Sequence, residues 1–320
     1  MATVSADAVA AARAAGHKIP DFWIVGHPKS GTTALYEMLK RHPQIFMPEL
    51  KETLFLAREM HPGLVSPIHP DTLEQYLALF APARLDQKAG EASPSYLRSP
   101  LAAARIRELE PDARIIAVLR EPASFLRSVH LELLQDHVET EKDFRRAIER
   151  EQAELKDKPV HWYADERVEY VKHLRRYFDD FAPEQVLVLI YDDFRADNEA
   201  VVRQVLEFLG VDSDAPIETS EANPTVLVRS PRMYEMVRSV YLGRNPAARA
   251  ANAAIKAVTT QRLRHGGLRT LRSRVLYGKP PPPDEQLMLE MRRRFKPHVQ
   301  ELSEYLDRDL VGLWGYDRLG

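Results

Sequence analysis

Eight consecutive residues, Gly26-His27-Pro28-Lys29-Ser30-Gly31-Thr32-Thr33, concentrate anion-binding groups at one point of the chain. They follow the apolar run Phe22-Trp23-Ile24-Val25-Gly26, which reads as a buried strand, and they open an amphipathic stretch, Thr32 to Arg41, which reads as a helix. A strand–turn–helix of this kind gathers backbone N–H groups and the positive end of a helix around one spot, a ready site for a phosphate or sulfate group. Gly26 and Gly31 permit tight backbone geometry, Lys29 brings a mobile point charge, and Ser30, Thr32 and Thr33 bring hydroxyl donors. The two glycines and Thr33 fit the pattern G-x-x-x-x-G-K-[ST], but Thr32 stands in the lysine position and the lysine has moved inside the loop, to Lys29. No acidic strand end suited to Mg²⁺ accompanies it.

The elements that must position this loop are legible as continuous apolar runs. Residues 22–26, Arg114 to Leu119 and Gln185 to Tyr191 read as strands, with helices at Thr32–Arg41, Pro122–Leu134 and Asn198–Leu209. Strands without polar alternation, separated by helices, are buried on both faces and run parallel. The expected fold is therefore α/β, a P-loop-type parallel sheet flanked by helices on both faces, with ligands at the carboxyl ends of the strands. Further helices are expected at Asp71–Phe80, Pro100–Glu110, Phe144–Lys156 and Asp165–Phe181, and a last one at Asp284–Leu306, before an aromatic end, Leu313-Trp314-Gly315-Tyr316, that should dock on the core. Residues 1–19 read as an N-terminal extension, 20–228 as the core, 229–283 as a basic helical lid or insertion closed by the stiff spacer Pro280–Pro283, and 284–320 as a C-terminal helix completing the core.

Composition narrows the functional classes. The chain has 320 residues, a formal charge of −2, 44% hydrophobic and 29% charged residues, an ordinary balance for a folded protein. It has no Cys, which excludes disulfides, thiolate metal sites and Cys nucleophiles. The histidines show no ligand spacing such as H-E-x-x-H, so no metal is expected. No apolar run reaches the roughly 18–20 residues that span a bilayer. The Ala-rich start carries Asp7 and Arg13 and lacks a basic beginning, so it does not read as a secretory signal, and a cytoplasmic enzyme is expected. Between Arg229 and Lys279 stand twelve Lys/Arg and one acid, Glu235, a local charge of +11. That segment reads as a solvated helical face, as a lid with a tip at Arg264-His265-Gly266-Gly267, or as a surface attracting an anionic acceptor, polysaccharide or membrane. Nucleic-acid binding is not expected, because only Tyr234, Tyr241 and Tyr277 interleave the charges.

Pro28-Lys29-Ser30-Gly31-Thr32-Thr33 resembles the 5′-phosphosulfate loop of the sulfotransferase family, whose donor is 3′-phosphoadenosine 5′-phosphosulfate (PAPS) and whose product is adenosine 3′,5′-bisphosphate (PAP). Leu35-Tyr36, Leu39 and His42-Pro43-Gln44-Ile45 are similar to the helix and turn that follow it in carbohydrate-type and bacterial members. Such a donor needs a second anion site. Arg120 ends the strand at 115–119, where it can present a forked guanidinium to phosphate, and Ser128 lies eight residues on with Pro122 in the first helical turn between them. This resembles the family's strand–Arg–x–Pro–helix–Ser motif, which implies that Arg120 and Ser128 bind the 3′-phosphate.

Lys51-Glu52-Thr53-Leu54-Phe55 resembles the Lys-Glu-x-x-Phe segment of glycosaminoglycan-type sulfotransferases, which implies Glu52 as the general base, with Leu56 where a second aromatic is common. His130, two residues after Ser128, is the alternative base, since a histidine serves elsewhere in the wider family. Gly90-Glu91-Ala92-Ser93-Pro94-Ser95-Tyr96 resembles a segment lining the acceptor cleft, with Ala92 where some members have Lys. His27 is expected to orient the loop. The resemblance implies direct displacement without a metal: Glu52 takes the proton of an acceptor hydroxyl, and Lys29 and the loop amides stabilise the leaving phosphate. The acceptor class is open among carbohydrate, lipid and small natural-product alcohols. A P-loop small-molecule kinase and a non-catalytic binder of anionic polymers are the other readings of the same residues.

Overall fold

A computed structural model describes residues 4, 6–60, 68–136, 138–154, 161–218, 227–228, 277–278 and 282–319. In chain order these form α1 (Ala6–Ala14), β1 (Phe22–Gly26), α2 (Thr32–Leu39), β2 (Ile45–Phe46), α3 (Leu73–Ala78), β3 (Lys88–Ala92), α4 (Ala102–Leu109), β4 (Arg114–Leu119), α5 (Pro122–Gln135), α6 (Phe144–Ala153), α7 (Tyr170–Asp180), β5 (Val186–Ile190), α8 (Tyr191–Ala196), α9 (Asn198–Leu209), β6 (Leu227–Val228), β7 (Tyr277–Gly278), α10 (Glu285–Tyr305) and α11 (Leu310–Leu313). Short 3₁₀ turns occupy Phe55–Met60, Pro94–Arg98, Asp165–Arg167 and Pro183–Gln185.

The chain divides into two units: Met1–Leu126 with Val160–Asn223 and Glu285–Gly320, and Arg127–Pro159 with Pro224–Asp284. The first holds a five-stranded sheet of order β2-β3-β1-β4-β5, parallel at every pairing. Side chains of successive strand residues point to opposite faces. Phe22 and Ile24 accordingly join Leu35, Leu39, Val202, Val205 and Leu206 in an apolar cluster with α2 and α9, while Trp23 bonds Tyr76 of α3 on the other face. Both faces are thus covered by helices, which is why β1 is buried along its whole length. Asp197 starts α9 by accepting the Ala200 N–H at 2.9 Å, a side-chain cap of a kind whose removal typically costs about 1 kcal/mol.

The register pairs Gly26 with Val118 and Leu119 with Ile190, so β1, β4 and β5 end along one edge. From that edge leave the anion loop, Arg120 and Tyr191. The C-terminal segment docks on the same unit: Trp314 Nε1 donates to Asp192 at 2.9 Å, Tyr316 hydroxyl to Glu121 at 2.5 Å, and Arg308 pairs with Asp193 at 2.7 Å. α10 buries Met288, Met291, Phe295, Val299 and Leu302, the spacing of a single helical stripe.

The structure departs from the sequence expectations at several boundaries. Two strands carried no apolar run: β2 is two residues long, and β3 reads Lys-Ala-Gly-Glu-Ala. Tyr191 starts α8 rather than ending a strand, the 165–181 helix is a 3₁₀ turn followed by α7, and α6 stops at Ala153.

The second unit contains the rest of α5, α6 and the antiparallel pair β6–β7. There Glu139 accepts the backbone N–H groups of Thr140 and Glu141 and pairs with Arg150. The basic stretch 229–279, including Arg264 to Gly267, lies outside the described residues except Tyr277 and Gly278. Among the described residues no helix is long and apolar enough to cross a membrane.

Candidate active site

The loop after β1 is built by backbone conformation. Lys29 and Gly31 both adopt left-handed φ values, 62° and 83°. Such a value costs a non-glycine residue roughly 1–2 kcal/mol, so Lys29 holds it only because its surroundings impose it. The resulting curl is the geometry that gathers backbone N–H groups around an anion. Gly31 is the N-cap of α2 and offers no side-chain cap, which leaves the first-turn N–H groups to a ligand or to water. Buried Ser30 has a hydroxyl with no protein partner. An unmet donor, a free helix start and a lysine at one turn fit an esterified phosphate or sulfate.

Arg120 follows the last residue of β4, and its Nη1 donates to the Lys29 carbonyl oxygen at 2.6 Å. The guanidinium lies 4.6 Å over the Tyr191 ring. Burial pulls its pKa down, and the ring face and nearby acids oppose that shift. Its backbone is fixed too, since the Tyr170 hydroxyl donates to the Arg120 carbonyl at 2.8 Å. The neighbouring carboxylate, Glu121, caps α5 by accepting from Ala123 and Ser124 N–H at 3.0 and 2.7 Å.

A cavity of about 280 Å³ opens beside Arg120, lined also by Glu121, Ser124, Tyr191, Asp192, Arg195, Arg292, Leu313 and Trp314. Tyr191, Arg195 and Arg292 escaped sequence reasoning, and Trp314 was expected to dock on the core but not to line a site. The aromatic at a strand end was a usable signal for Tyr191; nothing local marks Arg292 on α10.

Glu52 sits on the loop before the Phe55–Met60 turn. Its N–H donates to the Ala92 carbonyl at 3.0 Å, which ties the loop to the end of β3, the strand beside β1. Its side chain is 51% exposed and paired with Lys51, so the carboxylate is open to a second molecule. Ala92 is packed in the apolar cluster with α2 and α9. Ser128 and His130 lie farther along α5, in the second unit, and both are buried. The His130 ring stacks on Phe144 at 4.9 Å with Nε2 3.3 Å from the Lys142 carbonyl, and burial lowers its pKa. Among the described residues no group of three or more His, Cys, Asp or Glu is placed to hold a metal ion.

His27 is fully buried beneath the loop, 4.6 Å from the Phe125 ring and 4.3 Å from the Tyr170 ring, with neither ring nitrogen partnered. Burial first, then the nearby His173, Arg98 and Arg167 side chains, hold its pKa well below 6.5, while the Arg167 backbone opposes them. His173 is pushed to about 3, by burial first and then by Arg176, Arg98 and Lys172. Both rings are neutral in the fold. Below about pH 6.5 the unfolded chain binds protons that the fold refuses, so stability falls as pH drops, by roughly 1.4 kcal/mol per unit for each group. His27→Phe should therefore lose about 1–2 kcal/mol less stability than the parent between pH 7.5 and pH 5, read by urea unfolding at both values. An unchanged difference between the two pH values would show that His27 is not buried as a neutral ring.

Comparison with known proteins shows the family. The sulfotransferase family matches residues 20–215. Over 196 residues the chain is 28% identical to mouse heparan sulfate glucosamine 3-O-sulfotransferase 3A1, an alignment covering 61% of this chain and 46% of that protein. Over 212 residues it is 28% identical to human bifunctional heparan sulfate N-deacetylase/N-sulfotransferase 3, covering 61% and 22%. The chain thus spans about half the length, or less, of these curated relatives. The crystal structure of a sulfotransferase from Alicyclobacillus acidocaldarius superposes with a TM-score of 0.65 at 26% identity, covering 92% of this chain and 98% of that one. With its anion loop, its parallel sheet and a family match across more than half its length, the chain belongs to the sulfotransferase family.

Proposed function

We propose that this protein moves a sulfuryl group from PAPS to an acceptor hydroxyl by in-line displacement. The observation that carries the reading is the 2.6 Å hydrogen bond from Arg120 to the Lys29 carbonyl, which couples two cationic anchors that lie 91 residues apart in sequence. A donor with phosphate at both ends of one nucleoside needs two such anchors, held at a fixed separation.

PAPS supplies the sulfuryl group on a good leaving phosphate. The residues of the chain do the rest. Pro28, Lys29, Ser30, Gly31, Thr32 and Thr33 cradle the 5′ end, and Lys29 with the loop amides offsets charge growing on the leaving oxygen. Arg120 holds the 3′-phosphate, the role the family motif also implies for Ser128, and the cavity beside Arg120 receives the nucleoside. Glu52 accepts the acceptor's proton as that oxygen bonds to sulfur and the bond from sulfur to the 5′-phosphate breaks. One relative is a heparan sulfate glucosamine 3-O-sulfotransferase and another a heparan sulfate N-deacetylase/N-sulfotransferase, which favours a carbohydrate over a lipid or small alcohol as acceptor.

Titration calorimetry with PAP and with ATP–Mg²⁺ tests this reading. PAP should bind the parent, and Lys29→Ala and Arg120→Ala should each weaken it by about tenfold or more, the loss of one charge-assisted hydrogen bond. Equal PAP affinity in all three proteins, or tighter binding of ATP–Mg²⁺, would overturn the donor assignment.

A further inference from the structure

We infer that Glu91 and Thr53 are positioning residues that set the loop carrying Glu52; this rests on the reading of Glu52 as the base. Glu91 is a carboxylate on β3 with no exposed surface, and it faces no cation. Four donors satisfy it instead. Trp23 Nε1 and the Tyr76 hydroxyl donate to Oε2 at 3.1 and 2.7 Å, and the Thr53 and Ser93 hydroxyls donate to Oε1 at 2.9 and 2.5 Å. Each carboxylate oxygen has two lone pairs, so every acceptor position is filled.

The direction of this network is fixed. The Leu56 N–H donates to the Tyr96 hydroxyl oxygen at 3.1 Å, and Tyr96 lies 2.9 Å from the Thr53 hydroxyl. With Glu91 ionised, an acceptor only, Thr53 spends its hydrogen on Glu91 and Tyr96 spends its own on Thr53. Donors therefore run one way, from Leu56 through Tyr96 and Thr53 to Glu91. The indole of Trp23 cannot reverse, being a donor only.

This network grips the loop where it is hardest to hold. Glu52 and Leu54 both have left-handed φ values, 62° and 58°, on either side of Thr53. Consecutive loop residues are tied to consecutive strand residues: the Glu52 N–H to Ala92, the Thr53 hydroxyl to Glu91. In the same sheet Trp23 is level with Glu91, three residues before Gly26 opens the anion loop. Glu91 thereby references the base-carrying loop to the strand that delivers Lys29. Burial of a carboxylate without a cation is costly, and the four donors that converge on it offset that cost. Orienting the loop accounts for its presence.

The test uses full-length Thr53→Val, Thr53→Ser, Glu91→Gln and Glu52→Gln, and the Thr53→Val/Glu52→Gln pair. A Gln at 91 sets its amide N–H₂ against Trp23, or reverses the Thr53 link. Thr53→Val and Glu91→Gln should lower kcat by about ten- to a hundredfold, with the PAP dissociation constant within about twofold of the parent. Thr53→Ser, which keeps the hydroxyl, should restore kcat to within about threefold. The double variant should be no slower than Glu52→Gln alone, because positioning has no effect once the base is gone. If Thr53→Val keeps normal kcat while Glu52→Gln collapses, the inference fails and the base assignment stands. Additive losses in the double variant, or PAP affinity falling in step with kcat, would mark a general structural role and also overturn it. If Glu52→Gln keeps full turnover, the base assignment and the inference fall together. Should Glu91→Gln not fold, the Val and Ser variants at 53 still decide.

Discussion

Glu52→Gln is expected to lower turnover by about 10²–10⁴ while leaving the affinity for PAP within about twofold of the parent, because a missing general base slows proton removal without touching the donor anchors. Gln has the same shape and cannot take a proton at neutral pH. The side chain is half exposed, and its ion pair with Lys51 is with the adjacent residue. An exposed pair of that kind contributes roughly 0–1 kcal/mol, so the melting temperature should hardly move. The measurement is acceptor sulfation under saturating donor, alongside calorimetry with PAP. Unchanged turnover would remove Glu52 from the chemistry and pass the role to His130, whose replacement by Ala should then carry the loss.

Gly26→Ala should damage both the sheet and the anion loop. Gly26 has a φ of 148°, and a Cβ there would lie 2.4 Å from the Val118 carbonyl oxygen and 2.9 Å from the Val118 nitrogen. Those atoms belong to the backbone of the paired strand, which has no rotamer to change. β1 and β4 would have to part, breaking the bond from His27 N–H to the Val118 carbonyl, 3.1 Å long. The cost should be at least about 3 kcal/mol, the upper end for overpacking. For a chain of this size that lowers the melting temperature by at least about 4 °C. PAP binding should weaken as well, since the anion loop begins at this residue. A thermal scan placing the variant within about 2 °C of the parent would show that the two strands tolerate a methyl group between them.

The two variants fail in different links of the same chain of cause. On the proposed reading Glu52 is chemistry mounted on a loop, and loss of its carboxylate should leave the fold intact. Gly26 is backbone geometry that holds the loop and the sheet together. Stability and turnover measured on both separate these contributions, since the first should lose rate alone and the second should lose both.

Three strands were legible because burial on both faces forces an unbroken apolar run: β1, β4 and β5 lie within residues 22–26, 114–119 and 185–191. α9 was legible to the residue, bounded by a capping Asp197 and a glycine in the left-handed region at 210. β3 was not. Its middle residues are Gly90 and Glu91, and a lone acid in a short stretch reads as exposed until its donors are known. Those donors come from residues 23, 53, 76 and 93, and only the folded chain brings them to one point.

The sequence by itself determined the parallel α/β plan and the anion loop, because each depends on neighbours in the chain: apolar runs set the strands, and eight consecutive residues supply the loop's glycines, lysine and hydroxyls. Only the tertiary structure decided that Arg120 grips the Lys29 carbonyl, that Arg292 and Trp314 line the cavity beside it, and that a buried Glu91 holds Thr53. These are side-chain contacts between residues distant in sequence. Their existence depends on strand order and register, which local pattern does not encode.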